Sequence, residues 1–120
     1  MPEQTQLLFI HTSAPHGTIN AQEGLDALLM GSAFADCTAL FLGEGILQLL
    51  SEQDTSQIGQ KNFSRTFGAL ADYGVSKIYC SEEHLDKFGL SVSDLVIDVE
   101  ALGNDEIAEM IANSEAILNF

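Results

Sequence analysis

Residues 7–18 read Leu7-Leu8-Phe9-Ile10-His11-Thr12-Ser13-Ala14-Pro15-His16-Gly17-Thr18. Four apolar residues in a row mark a strand buried on both of its faces. The hydroxyls, proline and glycine that follow mark a turn. From about residue 20 to residue 34 the spacing becomes helical, with Leu25, Leu28 and Leu29 on one face. A buried strand that runs through a short turn into a helix is the repeating unit of a parallel α/β sheet. Gly24 and Gly31 lie seven apart on that helix and open it to close packing against a neighbour.

The same unit recurs downstream. Ala39-Leu40-Phe41-Leu42 reads as a second strand that ends at Gly43-Glu44-Gly45. Ile46-Leu47-Gln48-Leu49-Leu50 reads as a short helix, apolar nearly all round, and residues 51–60 as a polar loop. Phe63, Phe67, Leu70 and Ala71 follow helical spacing, with Gly74 as the stop. Residues 77–80 form a third strand, and Ser81 is placed to cap a helix with Glu82 and Glu83 in its first turn. Residues 95–99 form a fourth strand. Ile107, Met110 and Ile111 mark a last helix, and residues 116–120 a last strand. This β-α-β-α-α-β-α-β-α-β order predicts a flavodoxin-like three-layer α/β sandwich in one domain over residues 1–120. Its five-stranded parallel sheet has the expected order 2-1-3-4-5, with helices on both faces.

Composition narrows the function. The chain has 120 residues, 46% of them hydrophobic, which supports a real core and excludes a disordered chain. Four Lys and Arg stand against 18 Asp and Glu, a net charge of −14. Such a surface repels phosphate backbones and anionic bilayers, so direct binding to nucleic acid or membrane is not expected. The apolar runs are too short to cross a bilayer, and MPEQTQ has neither a basic nor an apolar leader region. Two cysteines make no disulfide scaffold, which leads us to expect a cytoplasmic protein. Charged residues are only 18%, against about 25% in typical soluble domains. Part of the surface is therefore expected to lie against a partner. Ile46, Leu47, Leu49 and Leu50 are the interface candidates, because an all-round apolar helix needs cover on more than one side.

Open parallel sheets collect functional groups past the carboxyl ends of their strands. Here those places hold Thr12, Ser13, His16, Gly17 and Thr18, then Gly43 to Gly45, then Cys80 and Ser81. The hydroxyls and Gly17 ahead of a helix invite a phosphate or a flavin. Pro15 removes an amide from that cradle, the chain has no Trp, and neither Tyr falls in a loop where it would stack on a flavin. No cofactor is expected. A phosphorylated receiver domain would need acidic residues where His11-Thr12 and Cys80 stand. His11 and His16 lack a third zinc ligand, so no metal is expected, and a lone loop histidine is expected to hydrogen-bond. Cys37 reads as an inert buried thiol. Cys80, just before a helix start, is the candidate catalytic residue, because amides and helix dipole there favour thiolate, against the repulsion of Glu82 and Glu83. Spacing pairs no base with it.

Four segments carry a further signal: SAPHGT at 13–18, EGLDALL at 23–29, GILQLL at 45–50 and AILNF at 116–120. At this spacing they resemble the TusC/DsrF family of sulfur-relay proteins over essentially the whole chain, the TusC branch most closely. The resemblance implies a flavodoxin-like fold and a hetero-hexamer, a dimer of heterotrimers with TusB- and TusD-like sister subunits. It implies that persulfide sulfur arrives from a TusA-type carrier and leaves toward a TusE-type one, ending in the 2-thiouridine of the tRNA wobble position. In the DsrF branch the related complex serves sulfur oxidation. The main sulfur-carrying cysteine then belongs to the sister chain, which makes this chain mainly an interaction subunit. Cys80, at a similar strand end, is then the candidate for a secondary sulfur role, and the alternative reading makes the chain a persulfide carrier in its own right through Cys80.

Overall fold

The computed structural model describes residues 6–14, 19–49, 70, 75, 77–95 and 97–120. Five strands form one sheet: β1 (Gln6–His11), β2 (Asp36–Phe41), β3 (Lys77–Ser81), β4 (Glu100–Leu102) and β5 (Ala116–Asn119). All pairings are parallel. Helix α1 (Asn20–Gly31) joins β1 to β2, α2 (Glu82–Lys87) follows β3, and α3 (Asn104–Asn113) joins β4 to β5. The predicted α/β class, parallel sheet and five strands are all present.

The strand order is a correction. It is β4-β3-β2-β1-β5, not 2-1-3-4-5. The chain steps outward from β1 through β2 and β3 to β4, then crosses back to lay β5 on the free side of β1. Right-handed crossovers permit either order, so alternation alone does not choose between them. What fixes β5 is the bonding at its end. The Phe120 amide donates to the Ile10 carbonyl at 2.9 Å, and the Thr12 and Ser13 amides donate to the Phe120 carbonyl at 2.9 and 3.3 Å.

The return crossover runs against the other three, so right-handedness sends α3 to the opposite face of the sheet. The core divides accordingly. On the first face Phe9, Ala39, Phe41, Ile78 and Cys80 pack with Leu25 and Leu28 of α1, Ile46, Leu49 and Leu85. On the second, Leu8, Ile10, Leu40 and Leu102 pack with Ile107 of α3. Strand residues alternate between the two, as a pleated strand requires.

Several elements shift. Helix α1 stops at Gly31, and residues 32–35 form a turn. Its glycines do face neighbours: a Cβ on Gly24 would lie 2.7 Å from Phe120 Cβ, and one on Gly31 3.0 Å from Phe9 Cζ. The 46–50 helix is a 3-10 helix over Gly43–Leu49. The fourth strand is not 95–99 but Glu100–Leu102. In the apolar run before it only Leu95 makes a bridge, and it lies in the core with Ile97 and Val99 packed against it. The expected loop at 51–60, the Phe63–Phe67 helical face and the Gly74 stop lie outside the described residues. Leu70, from that stretch, is buried.

Candidate functional site

The carboxyl ends of the strands are held together by backbone. The His11 carbonyl accepts the Leu42 amide at 3.0 Å, and the Leu42 carbonyl accepts the Gly45 amide at 2.9 Å. Gly45 lies directly on this joint. A Cβ there would collide with the His11 carbonyl oxygen and lie 2.6 Å from its carbon. Gln48 Nε2 donates to the Ser13 carbonyl at 2.8 Å. Gly43 turns the chain with φ +52°, a left-handed conformation that favours glycine, and its amide donates to His84 Nδ1 at 2.8 Å. Ser81 caps α2 as expected, its Oγ accepting the His84 amide at 3.2 Å.

Thr12 and Ser13 sit where the sequence places them, past β1. Their amides are spent on the Phe120 carbonyl, which the Thr12 hydroxyl also approaches at 3.4 Å. They present no free pair of amides to an anion. His16, Gly17 and Thr18 lie outside the described residues. Of the interface candidates, Ile46 and Leu49 are fully buried in the chain's own core, which takes them out of reach of a partner. Leu47 is half-buried, and Leu50 lies outside the described residues.

His11 differs from its reading as a hydrogen-bonding loop residue. It is the last residue of β1 and fully buried. Among the described residues neither ring nitrogen has a hydrogen-bond partner. The ring lies on Phe41 at 4.6 Å between centroids, nearly parallel, and 6.2 Å from the Phe120 ring. Burial lowers its pKa to about 4, so the imidazole is neutral at physiological pH. Sequence reasoning could have found this site, because His11 directly continues the apolar run 7–10.

Cys80 is fully buried, and burial pushes its thiol up to about 11. The register sets His11, Phe41 and Cys80 side by side on three adjacent strands. Two strand spacings put the His11 and Cys80 backbones roughly 10 Å apart, with Phe41 between them. The first-face row thus brings the His11 imidazole and the thiol onto the same face but keeps them from sharing a proton. Cys37 is also buried, as expected, and its thiol is raised first by desolvation and then by Asp36. No group of three or more His, Cys, Asp or Glu among the described residues is arranged to hold a metal. No helix among them is long and apolar enough to cross a membrane.

These features define a three-layer α/β domain of the flavodoxin-like class. The ychN protein of E. coli, known from its crystal structure, shares this fold with a TM-score of 0.79 at 18% identity, over 98% of this chain and 99% of that one. The chain belongs to the DsrE/DsrF-like family, whose model matches residues 5–120. It is 37% identical to the intracellular sulfur oxidation protein DsrF of Allochromatium vinosum, over 96% of each chain. It is 36% identical to a TusC homolog of Vibrio parahaemolyticus and 33% identical to one of Vibrio vulnificus, in each case over 97% of this chain and 99% of the relative. The expected family membership is borne out, and the relatives carry both the DsrF and the TusC names.

Proposed function

We propose that this chain is a TusC-type interaction subunit of a cytoplasmic TusBCD-type sulfur-relay complex. It assembles with TusB- and TusD-like sister chains as a dimer of heterotrimers and supports 2-thiolation of the tRNA wobble uridine. TusA- and TusE-type carriers dock on the complex, and the sister chain carries the persulfide. The observation that carries this reading is the end-to-end similarity to TusC homologs together with the sealed Cys80. A thiol with a pKa of about 11 is roughly one part in ten thousand ionised at neutral pH. Thiolate is the species that attacks a donor persulfide. Met30 and Phe34, 71% and 82% exposed at the end of α1, support a surface that a partner covers.

Co-expression with the two sister chains tests it. The expected result is one hetero-oligomer by native mass spectrometry, with persulfide mass on a sister. Cys80→Ala is expected to leave sulfur transfer by the complex unchanged. Separate elution of the chains defeats the assembly reading, and loss of transfer in Cys80→Ala makes Cys80 a carrier. A second reading has support in the 37% identity to DsrF, which would place the chain in a sulfur-oxidation complex. Deleting the gene separates them: loss of tRNA 2-thiouridine supports the first, loss of sulfur oxidation the second.

A further inference from the structure

The second face of the sheet is incompletely covered. Side chains of Ile10, Leu40, Tyr79 and Glu100 form one row across β1, β2, β3 and β4. Ile10 and Leu40 are buried, Tyr79 is half-buried and Glu100 is exposed. One helix about 10 Å wide cannot span five strands some 4.8 Å apart. Helix α3 covers the β1 side of this row and leaves the β3–β4 side open. A cleft of about 400 Å³ remains between α3 and the sheet, with Leu102, Met110 and Tyr79 among its lining and Glu100, Glu106 and Glu109 at its rim. A second cleft shares Tyr79 and Glu100 with it and adds Asp98.

Among the described residues no cation forms an ion pair with the rim. Of the chain's four cations, Lys61 and Arg65 lie outside the described residues and Lys87 belongs to α2. Lys77 is bound to Asp36 at 2.9 Å. The groove therefore sets Tyr79, Leu102 and Met110 beside carboxylates that no described cation pairs. That combination is complementary to one kind of occupant: an amphipathic segment bearing lysine or arginine beside leucine-like side chains.

We infer that this groove is a docking site for a basic amphipathic helix of a partner protein. The occupant lays its apolar face on Tyr79, Leu102 and Met110, and its cations meet Glu100, Glu106 and Glu109. This rests on the groove and its charge, not on the relay reading.

The test uses the full chain and a fluorescein-labelled 14-residue leucine/lysine amphipathic peptide, read by anisotropy at 50 and 300 mM salt. A Glu100→Gln/Glu106→Gln/Glu109→Gln variant removes the rim charge. The amide side chain introduced at position 106 keeps an oxygen to accept the Gly103 amide, as Glu106 does at 3.4 Å, so the helix cap survives. The control is Glu44→Gln/Glu82→Gln/Asp86→Asn, with equal charge removed from the 3-10 helix and α2. We expect the rim variant to bind about tenfold more weakly and the control to change by less than twofold. Amide shifts on titration should centre on Tyr79, Leu102 and Met110, and binding should weaken at the higher salt. Equal loss in both variants would mean only general attraction to an acidic chain and would overturn the site, as would no loss in either. A dimer of the chain that the rim variant dissolves would overturn it too, by making a second copy the occupant.

Discussion

Replacing His11 by phenylalanine should remove a specific part of this protein's acid sensitivity. The imidazole is fully buried without a hydrogen-bond partner among the described residues, and its pKa falls from 6.5 to about 4. Because the folded value is the lower one, the unfolded chain binds the extra proton first as the pH falls. Stability is therefore intact above pH 6.5, declines below it, and stops declining through this residue below about pH 4. The full shift corresponds to roughly 3 kcal/mol, of which about 2 kcal/mol is already lost at pH 5. The 18 carboxylates complicate the raw curve, since acidification also relieves repulsion in a chain of net charge −14. The difference between wild type and His11→Phe cancels that background. Urea unfolding followed by circular dichroism at pH 7.5, 6 and 5 measures it. The wild type should lose about 2 kcal/mol relative to the variant between pH 7.5 and 5. At pH 7.5 the variant should be about 1 kcal/mol more stable, because two unpartnered nitrogens leave the core. Parallel pH curves for the two proteins would refute the burial of His11 as an unpartnered imidazole.

The other expectations are local. Gly45→Ala drives a methyl group into the His11 carbonyl, and since the obstacle is backbone we expect a loss of about 3 kcal/mol in urea unfolding. Removing the α2 cap with Ser81→Ala should cost about 1 kcal/mol by the same method, and Ser81→Asp should recover most of it. Cys37 and Cys80 should both resist a disulfide reagent for minutes at pH 8 and react at once in denaturant; fast native labelling of Cys80 would place its thiol outside the core.

Much of the fold is legible in the sequence because β1, β2, β3 and β5 each hold a short apolar run and each described helix has its own stripe or cap, whereas β4 (Glu100–Leu102) holds none and the apolar run before it draws the expectation instead. The Gly24 and Gly31 spacing correctly marks where α1 comes close to the sheet. Ser81 is legible as a cap because a hydroxyl precedes two acidic residues. The strand order is not legible, since it depends on where one crossover returns, and both outcomes require the same apolar strands. The edge position of β5 is hidden for a related reason. AILN looks like a buried strand, yet Ile117 and Leu118 remain 37% and 36% exposed. The 46–50 helix misleads in the opposite direction. Its all-round apolar surface suggests a partner, but Ile46 and Leu49 share one core with the sheet and Leu70 and are covered within the chain. The open half of the second face escapes a sequence reading altogether. Tyr79 and Glu100 are 21 positions apart, and only parallel register makes them neighbours.

In an open parallel sheet the crevice for a ligand forms where successive crossovers diverge to opposite faces, at the switch point. With the observed order that point lies between β1 and β5. Its described part is filled by the chain itself. Phe120 reaches the His11 ring, Gly24 of α1 lies against both, and the Phe120 carbonyl takes the Thr12 and Ser13 amides. Substituting Gly24 would place a Cβ 2.7 Å from Phe120 and 3.0 Å from His11 Nδ1, which shows how little space is left. The place where related architectures do chemistry is here a packing joint, built from segments 23–29 and 116–120 that also carry the family resemblance. The exposed and incompletely covered regions lie elsewhere, at Met30 and Phe34 and along the acidic groove beside α3. The described part of the switch point is thus closed by residues from both ends of the domain, Gly24 and Phe120, with His11 between them.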